Sequence, residues 1–142
     1  MSAVPPYQGF LGTWVLIPES CDYEQSDPPM RGIYRIAAAR GELRFAIEWT
    51  DAAGETHQVA FSGVPDGKIV PFSGGDLADA LCVEAVSSRE LTTRAFYRGI
   101  ERMVAQRQLD ERGLAMRVIQ LVRFADGDKA TNVGIYRKQV EN

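Results

Sequence analysis

The sequence predicts an all-β protein, a single antiparallel up-and-down β-barrel of about ten strands with at most one short helical turn. Three observations predict it. Apolar and polar residues alternate with a period of two in short segments along nearly the whole chain. Glycine- or aspartate-bearing turns separate those segments at roughly ten-residue spacing, as in antiparallel sandwiches and barrels. No stretch sustains the period of about 3.6 residues that marks an amphipathic helix.

The first segment, "FLGTWVLIPES", holds a strand over 10 to 17 that Pro18 cuts off. In it Gly12 permits a bulge or close approach, and Trp14 plugs the barrel floor. The indole face of Trp14 is placed to receive a cation, with Arg137 as the candidate, and these three residues are read as structural. In the following loop, "PESCDYEQSDPPM", prolines at 18, 28 and 29 remove donors and fix backbone angles, so no long helix fits between Ile17 and Met30. Further strands are expected near 31 to 38, 42 to 51, 56 to 63, 67 to 72, 81 to 87, 90 to 98, 101 to 110, 114 to 123 and 130 to 139. The turns "ARGE", "DAAGE", "PDGK", "YRGIE", "DERG" and "ADGDK" offer Gly or Asp where a hairpin needs positive φ. The one longer connection, "SGGDLADA", contains Asp76, which is placed to cap a single helical turn.

With 142 residues and no repeat, low-complexity tract or linker, the chain reads as one domain over 1–142. Its 45% hydrophobic and 25% charged residues exclude both a disordered chain and a disulfide-stapled miniature. A net charge of -3, with basic residues scattered singly, provides no stripe for a phosphate backbone, so nucleic acid is not a partner. There is no secretory leader pattern and no apolar run of about eighteen residues, so the expectation is a soluble cytoplasmic protein with no membrane partner. Cys21 and Cys82 lack CxxC spacing and read as two idle thiols.

Ten antiparallel strands around one core must split into two sheets or close, and closure removes exposed edges. A barrel of about eight strands is just filled by side chains or holds one small ligand, so ten strands leave a cavity unless flattened. Alternation identifies the inner face. It carries Leu43, Phe45, Ile47 and Trp49 in the third strand, and Val59 and Phe61 in the fourth. It carries Leu91, Thr93, Ala95 and Tyr97 in the seventh, and Leu114, Met116, Val118 and Gln120 in the ninth. In the eighth strand Arg107 shares the apolar face of Met103, Ala105 and Leu109.

At both ends the residues resemble the calycin superfamily, which unites lipocalins and fatty-acid-binding proteins. "FLGTWVLIPESCDYE" is similar to the opening of the intracellular fatty-acid-binding proteins, and "GIYRKQVEN" resembles their closing strand. The resemblance implies a ligand carboxylate held by two arginines and a tyrosine. Tyr136 matches the tyrosine, Arg107 matches the eighth-strand arginine, and Gly134 replaces the last-strand arginine. The proline-bounded loop leaves no room for that family's helical lid, and lidless bacterial barrels of this kind resemble the chain more nearly.

Function turns on what such an inner face can hold. A buried arginine keeps its charge and costs several kcal/mol if unpaired, so Arg107 has a partner: an internal carboxylate, water or an anionic ligand. Tyr136, Tyr97, Thr93, Asn132 and Gln120 add hydroxyl and amide groups that orient an amphipathic molecule, while Trp49, Phe45, Phe61, Met116 and Val118 supply apolar wall. The small inward residues Thr93, Ala95, Ala105 and Gly134 favour a void over a filled interior. The reading is therefore a monomer or homodimer that binds a small hydrophobic or amphipathic molecule, with a carboxylate, a phenolate or another electron-rich group all open for the end that meets Arg107 and Tyr136, without a cofactor.

Two alternatives stand beside it. One is a filled barrel acting as an interaction or dimerisation module through the "PPYQ" arm or the "SCDYEQSDPPM" loop. The other is a small barrel enzyme using His57, the sole histidine, as a general base. No nucleophile elbow, paired-carboxylate motif or phosphate loop assists His57, and no clustered ligands suggest a metal. Haem binding of the nitrobindin kind uses a histidine near the C-terminus, where this chain has none.

Overall fold

In the computed structural model, which describes residues 5–24, 27–72 and 78–139, the period-two segments form ten antiparallel strands. They are β1 (Gly12–Tyr23), β2 (Arg31–Ala39), β3 (Glu42–Thr50), β4 (Thr56–Gly63), β5 (Asp66–Pro71), β6 (Ala80–Ser87), β7 (Glu90–Tyr97), β8 (Ile100–Leu109), β9 (Ala115–Arg123) and β10 (Lys129–Lys138). They make one sheet in the order β4-β3-β2-β1-β10-β9-β8-β7-β6-β5. The meander thus curls round until its first and last strands pair, with Leu16 opposite Tyr136. The tight turns follow the sequence signals. Arg40–Gly41 and Arg98–Gly99 both take positive φ (55° and 81°, 51° and 80°), the backbone that two-residue hairpins of matching twist require.

Hydrogen bonding does not run the full circumference. β4 and β5 are the sheet's two edges and do not pair with each other. Between them Pro65 has no N–H to donate, and the Asp66 N–H is spent on Val64 O at 2.8 Å, so no hairpin ladder starts. Side chains close the seam instead. Gly63 packs so tightly on β6 that a Cβ there would lie 2.7 Å from Val83 Cγ2.

β1 departs from the expected strand in two ways. Residues 8–10 form a single 3-10 turn (η1, Gln8–Phe10) that buries Phe10 before the strand begins. The strand then continues past Pro18 to Tyr23 by bulging: Ile17 pairs with Ile135, and the next pair is Asp22 with Val133. Ser20 bridges the gap, because its Oγ accepts the Ile135 N–H at 2.8 Å and donates to Ile17 O at 2.6 Å. From β1 to β2 the described residues, 24 and 27–30, contain no helix. The expected helical turn at Asp76 lies outside the described residues. Among the described residues no helix is long and apolar enough to cross a membrane.

The dry core sits at one end of the barrel. Phe10, Trp14, Ile36, Leu43, Phe45, Leu91 and Met116 are all at most 2% exposed. Trp14 donates from Nε1 to Phe10 O at 2.9 Å, tying η1 across the floor. Gly12 adopts φ of +130°. The cation over the Trp14 ring is Lys138, at 5.5 Å, rather than Arg137. Register decides this: Trp14 pairs with Lys138, whereas Arg137 pairs with Val15 and faces outward. Leu114, expected inward, precedes β9 and is exposed.

Candidate ligand-binding cavity

Opposite the dry end the sheet encloses a cavity of about 420 Å³. That is within the range of about 300–1,000 Å³ that suits a single small molecule. β8 supplies Met103, Ala105 and Arg107, while β3 and β4 supply Ile47, Trp49, Val59 and Phe61. β9 adds Val118 and Gln120, β10 adds Asn132, Gly134 and Tyr136, and Tyr23, Asp27 and Asp51 stand round the mouth.

Arg107 is 1% exposed, on the border between core and cavity. It crosses the interior from β8, donating from Nε and Nη2 to the Tyr34 hydroxyl of β2 at 3.0 and 2.7 Å. Nη1 donates to Thr93 Oγ1 at 3.1 Å and to Ala105 O at 3.2 Å. The guanidinium also lies 4.8 Å from the Phe45 ring centroid and 5.3 Å from that of Tyr34. All three acceptors are neutral. Among the described residues no carboxylate lies within ion-pair distance of Arg107, so the internal-acid partner left open by the sequence is not there.

Tyr136 is 8% exposed, meets Tyr34 edge to face at 5.2 Å, and has no hydrogen-bond partner for its hydroxyl among the described residues. Burial raises its phenol well above the ordinary value, and nearby Tyr34, Tyr23 and Cys21 add to this while Arg107 opposes it. Burial likewise pushes the Tyr23 phenol up to about 12, with Cys21 and Tyr34 reinforcing the shift. Both phenols are thus O–H donors at ordinary pH.

Gly134 stands where the resemblance places a second arginine, and packing explains the glycine. A Cβ there would meet Leu16 Cδ1 at 3.3 Å and Cys21 Sγ at 3.7 Å. The bulge in β1 brings Cys21 to this spot, and burial raises its thiol above the ordinary value, with Glu19 adding to it.

Of the residues singled out in the sequence, Arg107, Tyr136, Trp49, Phe61 and Gln120 line the cavity. Phe45 lies just beneath it, stacked on Phe61 at 4.7 Å and against Arg107. Met116 and Tyr97 are not part of the lining. Met116 is fully buried in the floor, and Tyr97, at the end of β7, lies beside the Arg98 guanidinium at 5.3 Å. Alternation assigns a face of the strand but not a height along the barrel. Tyr34 escaped the sequence reading although "RGIYRIAAA" carries the signal, since Gly32, Tyr34 and Ile36 alternate with exposed or partly exposed neighbours.

His57 sits on β4 at the rim, outside the lining, with its ring stacked on Trp49 at 5.3 Å. Its Nε2 meets Asp51 Oδ2 at 2.8 Å. Asp51 Oδ1 accepts the N–H groups of Ala53 and Glu55 at 3.0 and 2.9 Å. The His57 hydrogen bond, then the Glu55 N–H, hold the Asp51 carboxyl below its ordinary value. The β3–β4 hairpin therefore clusters Asp51, Glu55 and His57, with donor atoms within 4.8 Å of one another, which the linear spacing did not disclose. Both Asp51 oxygens are engaged in this turn, so the arrangement is accounted for as a hairpin lock.

No family model and no curated protein matches the sequence. Solved structures do. The chain is similar to zebrafish ileal bile acid-binding protein complexed with cholic acid, at 16% identity over 92% of this chain and 99% of that one, with a TM-score of 0.57. It is also similar to a bovine odorant-binding protein complexed with its natural ligand, at 14% identity over 100% of this chain and 79% of that one, with a TM-score of 0.52. At these identities the likeness is one of fold.

Proposed function

We propose that this chain, which has a calycin-like fold, binds a small hydrophobic or amphipathic molecule whose anionic or electron-rich end meets Arg107 and Tyr136. The observation that carries the reading is Arg107: a buried permanent cation beside a cavity, surrounded by neutral acceptors. Burying such a charge costs several kcal/mol, and a ligand carboxylate supplies the missing countercharge through charge-assisted hydrogen bonds. The Tyr136 hydroxyl adds a neutral donor within the same cavity. Ile47, Trp49, Val59, Phe61 and Val118 bury the apolar body. Both similar structures belong to proteins named for small-molecule binding, which agrees with this use of the interior.

The test is a fluorescence titration with an environment-sensitive fatty-acid analogue, competed by a long-chain carboxylate and its methyl ester. Saturable binding that the acid displaces at least tenfold better than the ester is expected from one charge-assisted contact. Equal displacement would remove Arg107 from the binding role, and no saturable binding by a folded protein would remove the cavity from it.

A further inference from the structure

The polar groups of the inner wall fall on one line. Strand register places Thr93 opposite Ala105, Ala105 opposite Gln120, Gln120 opposite Asn132, and Asn132 opposite Tyr23. All five line the cavity. They form one transverse row across β7, β8, β9, β10 and β1, with a single alanine among four polar side chains. The inward row beneath it, Arg107, Val118 and Gly134, carries the cation. Two residues along a strand is about 7 Å, which sets the height of the polar row above the guanidinium. Facing this wall, β3 and β4 present Ile47, Trp49, Val59 and Phe61, whose one polar group is the Trp49 indole N–H. The two walls do face each other, because Arg107 spans from β8 to Tyr34 on β2 and Phe45 on β3.

Gln120 is the group that asks for a ligand. Its Nε2 meets only Met103 Sδ, at 2.9 Å, a thioether and so a weak acceptor. The rest of its carboxamide has no partner among the described residues. A straight alkyl chain lying on this row leaves that amide unpaired, which costs affinity. A molecule with oxygens along one edge satisfies it.

We infer that the cavity selects a flat polycyclic acid bearing hydroxyl or carbonyl groups along one edge, with that edge on the Thr93–Gln120–Tyr23 row and its acid group at Arg107. Its bare face lies on the aromatic wall of Trp49 and Phe61. This rests on the reading of the cavity as an anion-binding site, and goes beyond it by excluding a plain fatty acid as the preferred ligand.

Three probes of equal carbon number separate the two claims: 4,5-dihydroxyanthraquinone-2-carboxylate, anthraquinone-2-carboxylate and pentadecanoate, each titrated by calorimetry. The dihydroxy acid is expected to bind roughly tenfold tighter than its unhydroxylated parent, the equivalent of about one well-made hydrogen bond. Gln120→Leu should abolish that preference by weakening the dihydroxy acid alone, with pentadecanoate unchanged or tighter. Tyr23→Phe, which removes only a hydroxyl from the same row, should narrow the preference a few-fold. Equal affinity for the two ring acids, or a preference that survives both substitutions, overturns the inference while leaving the anion site intact. Failure of the wild-type protein to bind any of the three overturns both.

Discussion

Replacing Arg107 by methionine tests the anion site with the least disturbance of shape, since methionine keeps an unbranched chain in a space walled by Phe45 and Tyr34. Two effects should separate. A hydrogen bond to a charged group contributes about 1.5–3 kcal/mol, so carboxylate affinity should fall roughly 10- to 150-fold. An ester of the same chain, held mainly by apolar burial, should change little. Stability should respond differently. The variant loses four hydrogen bonds from the guanidinium and is relieved of a buried charge without a counterion. Those terms are of similar size, so the unfolding free energy should move by no more than about 2 kcal/mol in either direction. The assays are competitive displacement by acid and ester, and thermal unfolding without ligand. A loss well beyond that figure, with an unchanged acid-to-ester ratio, would refute the reasoning and make Arg107 a structural crosslink from β8 to β2.

Other expectations follow from particular contacts. Gly63→Ala puts a Cβ 2.7 Å from Val83 Cγ2 at the unpaired seam, and should cost about 1–3 kcal/mol in chemical denaturation. In alkaline solution the unfolded chain ionises its tyrosines from about pH 10, whereas folding raises Tyr23 to about 12 and Tyr136 further. The folded state then holds the extra protons, so stability should be full below pH 10 and decline above it; absorbance at alkaline pH should show Tyr23 and Tyr136 ionising late in the wild-type protein, a late component that Tyr23→Phe reduces. At the acid end Asp110 is held below its ordinary 3.8, first by the Ala115 N–H, and Asp51 is held low by His57. A depressed value stabilises above the ordinary carboxylate range and is lost as pH falls through the folded value. Asp110→Asn with Asp51→Asn should therefore flatten the decline in stability below about pH 4, and an unchanged acid limb would discount both turn locks.

Strand positions were legible because alternation is a local property, and in β3 the inward set Leu43, Phe45, Ile47 and Trp49 is the set that lines core and cavity. What escaped depends on partners distant in sequence. The continuation of β1 past Pro18 works only because Ser20 replaces a ladder bond from β10, 115 residues away. The identity of the cation over Trp14 turns on a one-residue register, which reverses the facing of every side chain. Met116 and Gln120 share a face of β9, yet one is floor and the other wall, since height along the barrel comes from the curl of the whole sheet. Arg107 could be placed inward from its neighbours. Its acceptors could not be, because Tyr34 lies 73 residues away on a facing strand.

The position of Arg107 also explains how the fold tolerates it. The dry end, closed by Phe10, Trp14, Leu43 and Leu91, carries the apolar burial that holds the sheet together. The open end contributes less to stability, so polar groups there can remain partly unsatisfied. Arg107 stands at the boundary between the two. Tyr34, Thr93 and the Ala105 carbonyl solvate it enough for the barrel to fold, and two aromatic faces spread the remaining field. None of these groups neutralises the charge. The same residual cost that makes the cation expendable for stability is recovered when an anion enters, so affinity and selectivity for charge have one physical origin. Adding an internal acid beside Arg107 should therefore stabilise the free protein and weaken its anionic ligands together. Ala105→Asp, whose side chain would point into the same cavity from β8, makes that trade testable by thermal unfolding and displacement. A rise in unfolding temperature without loss of anion affinity would contradict it.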